Sequence, residues 1–267
     1  KFVFETDSAG LVTRMKIKGS SDNELFYNYL NFAASKYKKA EVFREELKMH
    51  KNNKDSLSLL EKEIQKIDAA VKDYKIKYIT DYPLTFLAKI FKASQEPEIP
   101  EAPLLPNGRK DSSFAFRHFK AHYFDNFDFA DDRMLRTPIF YSKMNYYLEK
   151  LTMQIPDSIN MEIDRIVEKS KPNKDVFKYL VSHLTYTYET SKIMGFDAVF
   201  VHLVEKYYMT RQTSWVDSVN LYKITERAMM LKPLLIGKTA PNVILPDINN
   251  IPRSMYDVKS PYTVLYF

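Results

Sequence analysis

The sequence predicts a mainly α protein: a multi-helical domain with a long helical hairpin, and short β segments at both ends. Three observations carry this. Only 5 of the 267 residues are glycine, few for a β-sandwich or a nucleotide-binding α/β sheet, both of which turn tightly on glycine. Leu57, Leu60, Ile64, Ile67, Val71, Tyr74 and Tyr78 alternate intervals of three and four, the narrow seam of a coiled-coil helix. Between 138 and 231, apolar patterns of helical period follow one another closely, punctuated by Pro156-Asp157, Pro172-Asn173 and Gly195. A hydrophobic fraction of 45% and an aromatic fraction of 14% supply enough apolar surface to fold.

Taken in order, "KFVFET" reads as a short strand, closed by the turn residues of "DSAG" at 7–10. A helix follows over 22–50, with Ser21 and Glu24 at the spacing of a capping box. Its apolar positions are Phe26, Leu30, Tyr37, Ala40, Phe43 and Leu47. "KNNKD" at 51–55 interrupts it, and the seam helix occupies 57–81. So short a connection predicts an antiparallel hairpin. Pro83 ends or kinks the second helix, and "LTFLAKIFKAS" gives a short third one. The stretch 95–111 holds four of the 13 prolines and reads as an extended connector. Helical patterns then occupy 138–153, 157–170, 174–190, 195–209 and 217–231, with no recurring consensus to mark a repeat array. At Pro233 the composition changes to turn and strand. The expected organisation is a β tail at 1–19, a helical domain at 20–233 and a distinct C-terminal segment at 234–267.

Composition narrows the function. Cysteine is absent, so no disulfide, zinc-thiolate site or cysteine nucleophile lies within these residues. The net charge of +6 is mild for the length and gathers at 36–54, with seven basic and three acidic residues. Interleaved Glu, Lys and Arg there read as a solvated helix face, and no nucleic-acid binding is expected. His118 and His122 lie four apart, with Asp125, Asp128, Asp131 and Asp132 following. On a helix the two imidazoles share a face, as a metal site requires. The Glu of a zinc-protease motif is missing, so the expected reading is a packed aromatic segment whose aspartates cap turns. His50, His183 and His202 are isolated, the latter two expected as structural histidines. Trp215 lies in "TSWVDS", where Ser214 or Asp217 is placed to cap a helix and the indole to pack. No catalytic, cofactor-binding or metal-ligating set emerges, and no catalytic residue, cofactor or metal is assigned.

The C-terminal segment is the most specific. "IGKTAPNVILPD" followed by "SMYDVKSPYTVLYF" resembles the start of exported thioredoxin-like domains related to peroxiredoxins and cytochrome-maturation thioredoxins. Gly237, Ala240, Pro241 and Val243 match the opening element, Met255 to Lys259 a short helical turn, and Thr263 to Phe267 an apolar strand. "MKIKGS", "HYFDNFDFADDRMLRTP" and "SKIMGFDAVFVHLVEKYY" are similar to the helical region preceding such domains in exported proteins of Gram-negative gut commensals. The resemblance implies a periplasmic or otherwise extracytoplasmic thiol-disulfide oxidoreductase behind a lipoprotein-type signal, with an incomplete thioredoxin-like fold at this C-terminus. Its Cys-x-x-Cys pair would follow the final strand. The chain reads as trimmed at both ends, its helical part serving recognition or spacing, and the partners expected are a protein, a disulfide-bearing protein substrate or a second copy of the chain. A stand-alone helical interaction module of solenoid type is the alternative. Residues 262–267 are expected to be extended and paired, with 242–246, "KFVFET" or a second molecule as the partner strand.

Overall fold

The structure, a computed structural model, describes residues 2–49 and 54–264. It is mainly helical, with short two-stranded sheets towards its ends. Two compact units divide it, Lys1–Asp128 and Phe129–Phe267, and the division falls inside the helical stretch 20–233.

In the first unit, β1 (Val3–Glu5) pairs antiparallel with β2 (Lys16–Lys18), placing Phe4 opposite Ile17. Helix α1 (Ser21–Met49) then packs against α2 (Lys54–Asp81). The pair is antiparallel: Tyr29 and Phe32, early in α1, lie on Tyr74, late in α2, and Phe32 stacks on it at 4.4 Å. The α2 seam faces inward as its period requires, with Ile67, Val71 and Tyr78 buried and Leu57, Leu60, Ile64 and Tyr74 half-buried. Two details of α1 differ from expectation. The helix includes Ser21, so Ser20 stands before it and its Oγ accepts from Asn23 Nδ2; a capping box on Ser21 and Glu24 does not form. Its inward stripe runs through Leu25, Tyr29, Ala33 and Ala40, leaving Phe26 and Tyr37 exposed.

Pro83 follows α2 after one residue, Tyr82, and Thr85 caps α3 (Phe86–Ser94) by accepting from the Ala88 N–H. The α3 residues Leu87, Ala88 and Phe91 close a core with Tyr78 and Leu25. The connector runs extended to Pro103 and then turns back, Leu104 bridging Lys110 across Gly108 at φ 77°. Helix α4 (Phe114–His122) buries none of its residues.

The second unit holds α5 (Pro138–Tyr146), α6 (Pro156–Ser170), α7 (Lys174–Glu189), α8 (Asp197–Leu203) and α9 (Ser218–Leu231). Helix α6 is central: Ile159, Ile163 and Ile166 recur at intervals of four and three, Val167 lies four beyond Ile163, and all are fully buried against neighbours that include α7 and α8. Each such side chain contributes about 1.5–3 kcal/mol by leaving water. Asn173 caps α7 by accepting from the Asp175 and Val176 N–H groups. Gly195, at φ 87°, turns the chain into α8 where a side chain would be strained. The expected helix ends at 153 and 209 resolve into π-helical turns, Tyr147–Leu151 and Val204–Tyr208. A single widened turn leaves no periodic trace in a sequence.

After α9, β3 (Ile244–Pro246) pairs antiparallel with β4 (Pro252–Ser254), and a 3-10 turn at Met255–Asp257 follows. Ser254 and Asp257 cap that turn reciprocally. This corrects the expectation for 262–267. Residues 262–264 lie outside any strand, with Tyr262 and Val264 almost wholly exposed, and 265–267 lie outside the described residues. The two candidate partners within the chain are taken by nearer neighbours, β3 by β4 and "KFVFET" by β2. Asp247 organises the short β3–β4 turn, accepting from the Asn249 and Ile251 N–H groups, and a shorter loop costs less entropy to close.

Candidate functional site

The two π-helical turns anchor the most organised polar chemistry of the second unit. Each is followed by a T-x-Q segment, Thr152–Gln154 and Thr210–Gln212, that folds back on it. Thr152 Oγ1 donates to the Tyr147 carbonyl, and Gln154 Nε2 to the carbonyls of Leu148 and Thr152. Thr210 Oγ1 and Gln212 Nε2 both donate to the Lys206 carbonyl. A widened turn leaves carbonyls without their i+4 partners, and these side chains satisfy them. Downstream, Asp157-Ser158-Ile159-Asn160 opens α6, and Asp217-Ser218-Val219-Asn220 opens α9. A recurring consensus therefore exists. A two-residue difference in the spacing between its halves (Ile155-Pro156 against Thr213 to Val216) hides it from a fixed-period search.

Each turn also delivers a tyrosine to a carboxylate on α6. Tyr147 donates to Glu162 at 2.7 Å, and Tyr207 to Asp164 at 2.8 Å. Glu162 is buried, with Arg165 of the same helix 4.0 Å away. Asp164 also receives His202 Nε2 at 3.0 Å and Lys206 Nζ at 2.7 Å. Burial opposes ionisation of Asp164, but the bonds from His202, Lys206 and Tyr207 outweigh it and hold the carboxyl below its usual range. Burial first, and then the bond to the carboxylate, push the Tyr147 and Tyr207 hydroxyls upward. Both tyrosines are thus held as neutral donors. The arrangement ties α6 to the turns after α5 and α8, and positions them.

A pH dependence follows. Because the folded-state value of Asp164 is depressed, its contribution is present above the unfolded carboxylate value of about 3.9 and is lost as pH falls through the folded value. Urea midpoints of the wild type and Asp164→Asn should differ at pH 7 and converge in acid. A gap unchanged down to about pH 3 would show that the Asp164 charge is idle.

The residues singled out in the sequence are partly brought together. His118 and His122 lie side by side on α4, their rings tilted by 35° with centroids 4.3 Å apart. His122 Nδ1 meets Asp125 at 2.5 Å, and His118 Nε2 donates to the Glu98 carbonyl at 3.1 Å. Among the described residues no group of three or more His, Cys, Asp or Glu side chains is placed to hold a metal ion. Asp131 caps the 3-10 turn Asp132–Arg136 by accepting from the Arg133 N–H, and Asp128 pairs with Lys89. His202 is a structural histidine on Asp164, while His183 is held by stacking on Tyr179 and its protonation is disfavoured by burial. His50 lies outside the described residues. Trp215 packs edge-on against Phe177 at 5.7 Å, and Asp217 caps α9 by accepting from the Asn220 N–H.

Two surfaces remain open. A cleft of ≈ 540 Å³ in the first unit lies beside α2 and residues 95–98, with Val71 and Phe91 among its buried lining. Asp68, Lys72 and Glu98 give it charges of both signs. In the second unit, α9 packs through Leu221, Ile224, Ala228 and Leu231, yet carries further apolar residues on its outer side: Val219, Tyr222, Met229 and Met230. No helix among the described residues is long and apolar enough to cross a membrane.

A protein-family model described as a domain of unknown function (DUF5106) matches residues 51–232. No curated protein and no solved structure matches the chain.

Proposed function

The chain belongs to the DUF5106 family, and from that premise we propose that its helical part is a non-catalytic recognition or spacer region of an extracytoplasmic thioredoxin-like thiol-disulfide oxidoreductase. The observation that carries the reading is the segment after α9. Its hairpin and capped turn occupy the residues that resemble a thioredoxin-like opening. Its apolar side chains face water: Ile244, Leu245 and Val258 are exposed, Ile248 is 99% exposed and Tyr262 90%. Apolar residues at this density are built for burial, and the helices beside them do not bury them. A segment of that kind fits a second body better than an appendage of the helical one.

The redox chemistry needs a cysteine pair that these residues do not contain. A thiolate at a helix N-terminus attacks a partner's disulfide, and the second cysteine resolves the mixed disulfide. The helical part's task in that scheme is to hold or orient the partner protein. The test is the reading frame beyond Phe267 and the product it encodes. An aromatic loop with Cys-x-x-Cys, and dithiol-dependent reduction of insulin by the full product, are the expected results. A stop codon at that point would transfer the role to a stand-alone helical interaction module.

A further inference from the structure

We infer that the cleft beside α2 binds a short extended peptide carrying one acidic and one basic side chain around an apolar residue. The inference gives a place to the recognition role proposed above and rests on that role alone, not on the redox chemistry.

Two lining elements of the first unit set the length of the cleft. Asp68, Lys72, Lys75 and Ile76 recur at helical spacing on α2, and that stretch rises about 12 Å along the axis. The second element is the start of the connector, residues 94–98. Gln95 enters it extended, at φ −71° and ψ 137°, and Pro97 biases Glu96 to the same region. An extended peptide advances about 3.3 Å per residue, so three or four residues match the length. The volume of ≈ 540 Å³ suits an occupant of that size.

Charge decides the kind of peptide. The floor is apolar, with Val71 and Phe91 buried. Around it stand the cations Lys72 and Lys75 and the carboxylates Asp68, Glu96 and Glu98, and among the described residues none of these five side chains forms an ion pair. Asp68 and Lys72 are four apart on one helix, a spacing that favours pairing, yet they stay apart. Lys75 Nζ instead sits over the rings of Phe91 and Tyr29, 5.6 and 6.0 Å from their centroids, which holds the ammonium at the cleft without neutralising it. Three carboxylates repel a polyanion, and a wholly apolar ligand leaves both signs unanswered. A peptide with both signs answers them, its carboxylate meeting Lys72 and Lys75 and its cation meeting the acidic side chains. Its main chain also finds partners, since the Glu96 N–H and the Glu96 and Pro97 carbonyls make no hydrogen bond among the described residues.

Titration of the chain with capped tripeptides, followed by amide NMR, tests this. The probes are acetyl-Glu-Phe-Lys-amide, its reverse acetyl-Lys-Phe-Glu-amide, acetyl-Lys-Phe-Lys-amide and the uncharged acetyl-Ser-Phe-Ser-amide. At least one mixed-charge probe should bind about tenfold or more tighter than the uncharged one and shift the amide signals of Val71, Glu96 and Glu98. Lys72→Glu should weaken that probe about tenfold and turn the preference towards acetyl-Lys-Phe-Lys-amide. Lys77→Glu, exposed on α2 outside the cleft, should leave both affinities unchanged, and circular dichroism checks that each variant keeps its helix content. Mixed-charge probes no tighter than the uncharged one, or Lys72→Glu no more damaging than Lys77→Glu, would overturn the inference and leave the helical part a spacer. Either result is independent of the cysteine pair sought beyond Phe267.

Discussion

Ile163→Asp should remove most of the stability of the second unit. Ile163 is fully buried at the centre of α6, between residues that are themselves fully buried, Ile159 and Val167. An aspartate there places a carboxylate out of water beside the apolar Ile159 and Val167, at a cost of several kcal/mol. Native domains hold only about 5–15 kcal/mol in total, so the loss is a large fraction of the whole. Met161→Asp, two residues away on the exposed side, should stay within about 0.5 kcal/mol. Urea denaturation of both variants makes the comparison. Similar midpoints for the two would mean that α6 does not sit at the centre of this unit.

Tyr147→Phe should be the most costly change among the hydroxyls that meet α6. It removes the 2.7 Å bond to Glu162 while the carboxylate stays buried, and hydrogen bonds to charged groups contribute about 1.5–3 kcal/mol. Tyr207→Phe removes a similar bond from Asp164, but His202 and Lys206 remain on that carboxylate. Asp164 is also partly open to water, which can replace the lost donor. The second loss should therefore be clearly smaller. Equal effects would show that burial of Glu162 does not control the strength of its bond.

How much of this was legible in the sequence depended on whether a residue's role is local. The α2 seam is legible because coiled-coil spacing between Leu57 and Tyr78 leaves one inward solution. The caps at Asn173 and Asp217 and the break at Pro83 were legible for the same reason: each acts on backbone groups within a few residues of itself. The α1 stripe departs from its sequence pattern at Phe26 and Tyr37 because large aromatic side chains mimic core residues whichever way they face. The Tyr147–Glu162 and Tyr207–Asp164 bonds span 15 and 43 residues and have no local signature. The T-x-Q segments and the D-S-x-N openings that follow them were a usable signal. Finding it required allowing the interval between them to vary by two residues. The pairing of 244–246 with 252–254 was hidden by the longer apolar run at 262–267, whose composition drew the strand assignment away from the nearer, proline-bearing partner.

Hydrogen exchange resolved by residue tests most directly the claim that the helical body is complete without the segment that follows α9. The account predicts that amides in the interiors of α6, α7 and α8 exchange only through openings near the global unfolding free energy. Amides of β3, β4 and 255–264 should exchange with opening free energies near zero, as exposed and weakly packed backbone does. Protection of 244–254 matching that of α6 would contradict it, and would make the C-terminal hairpin an integral part of the helical fold.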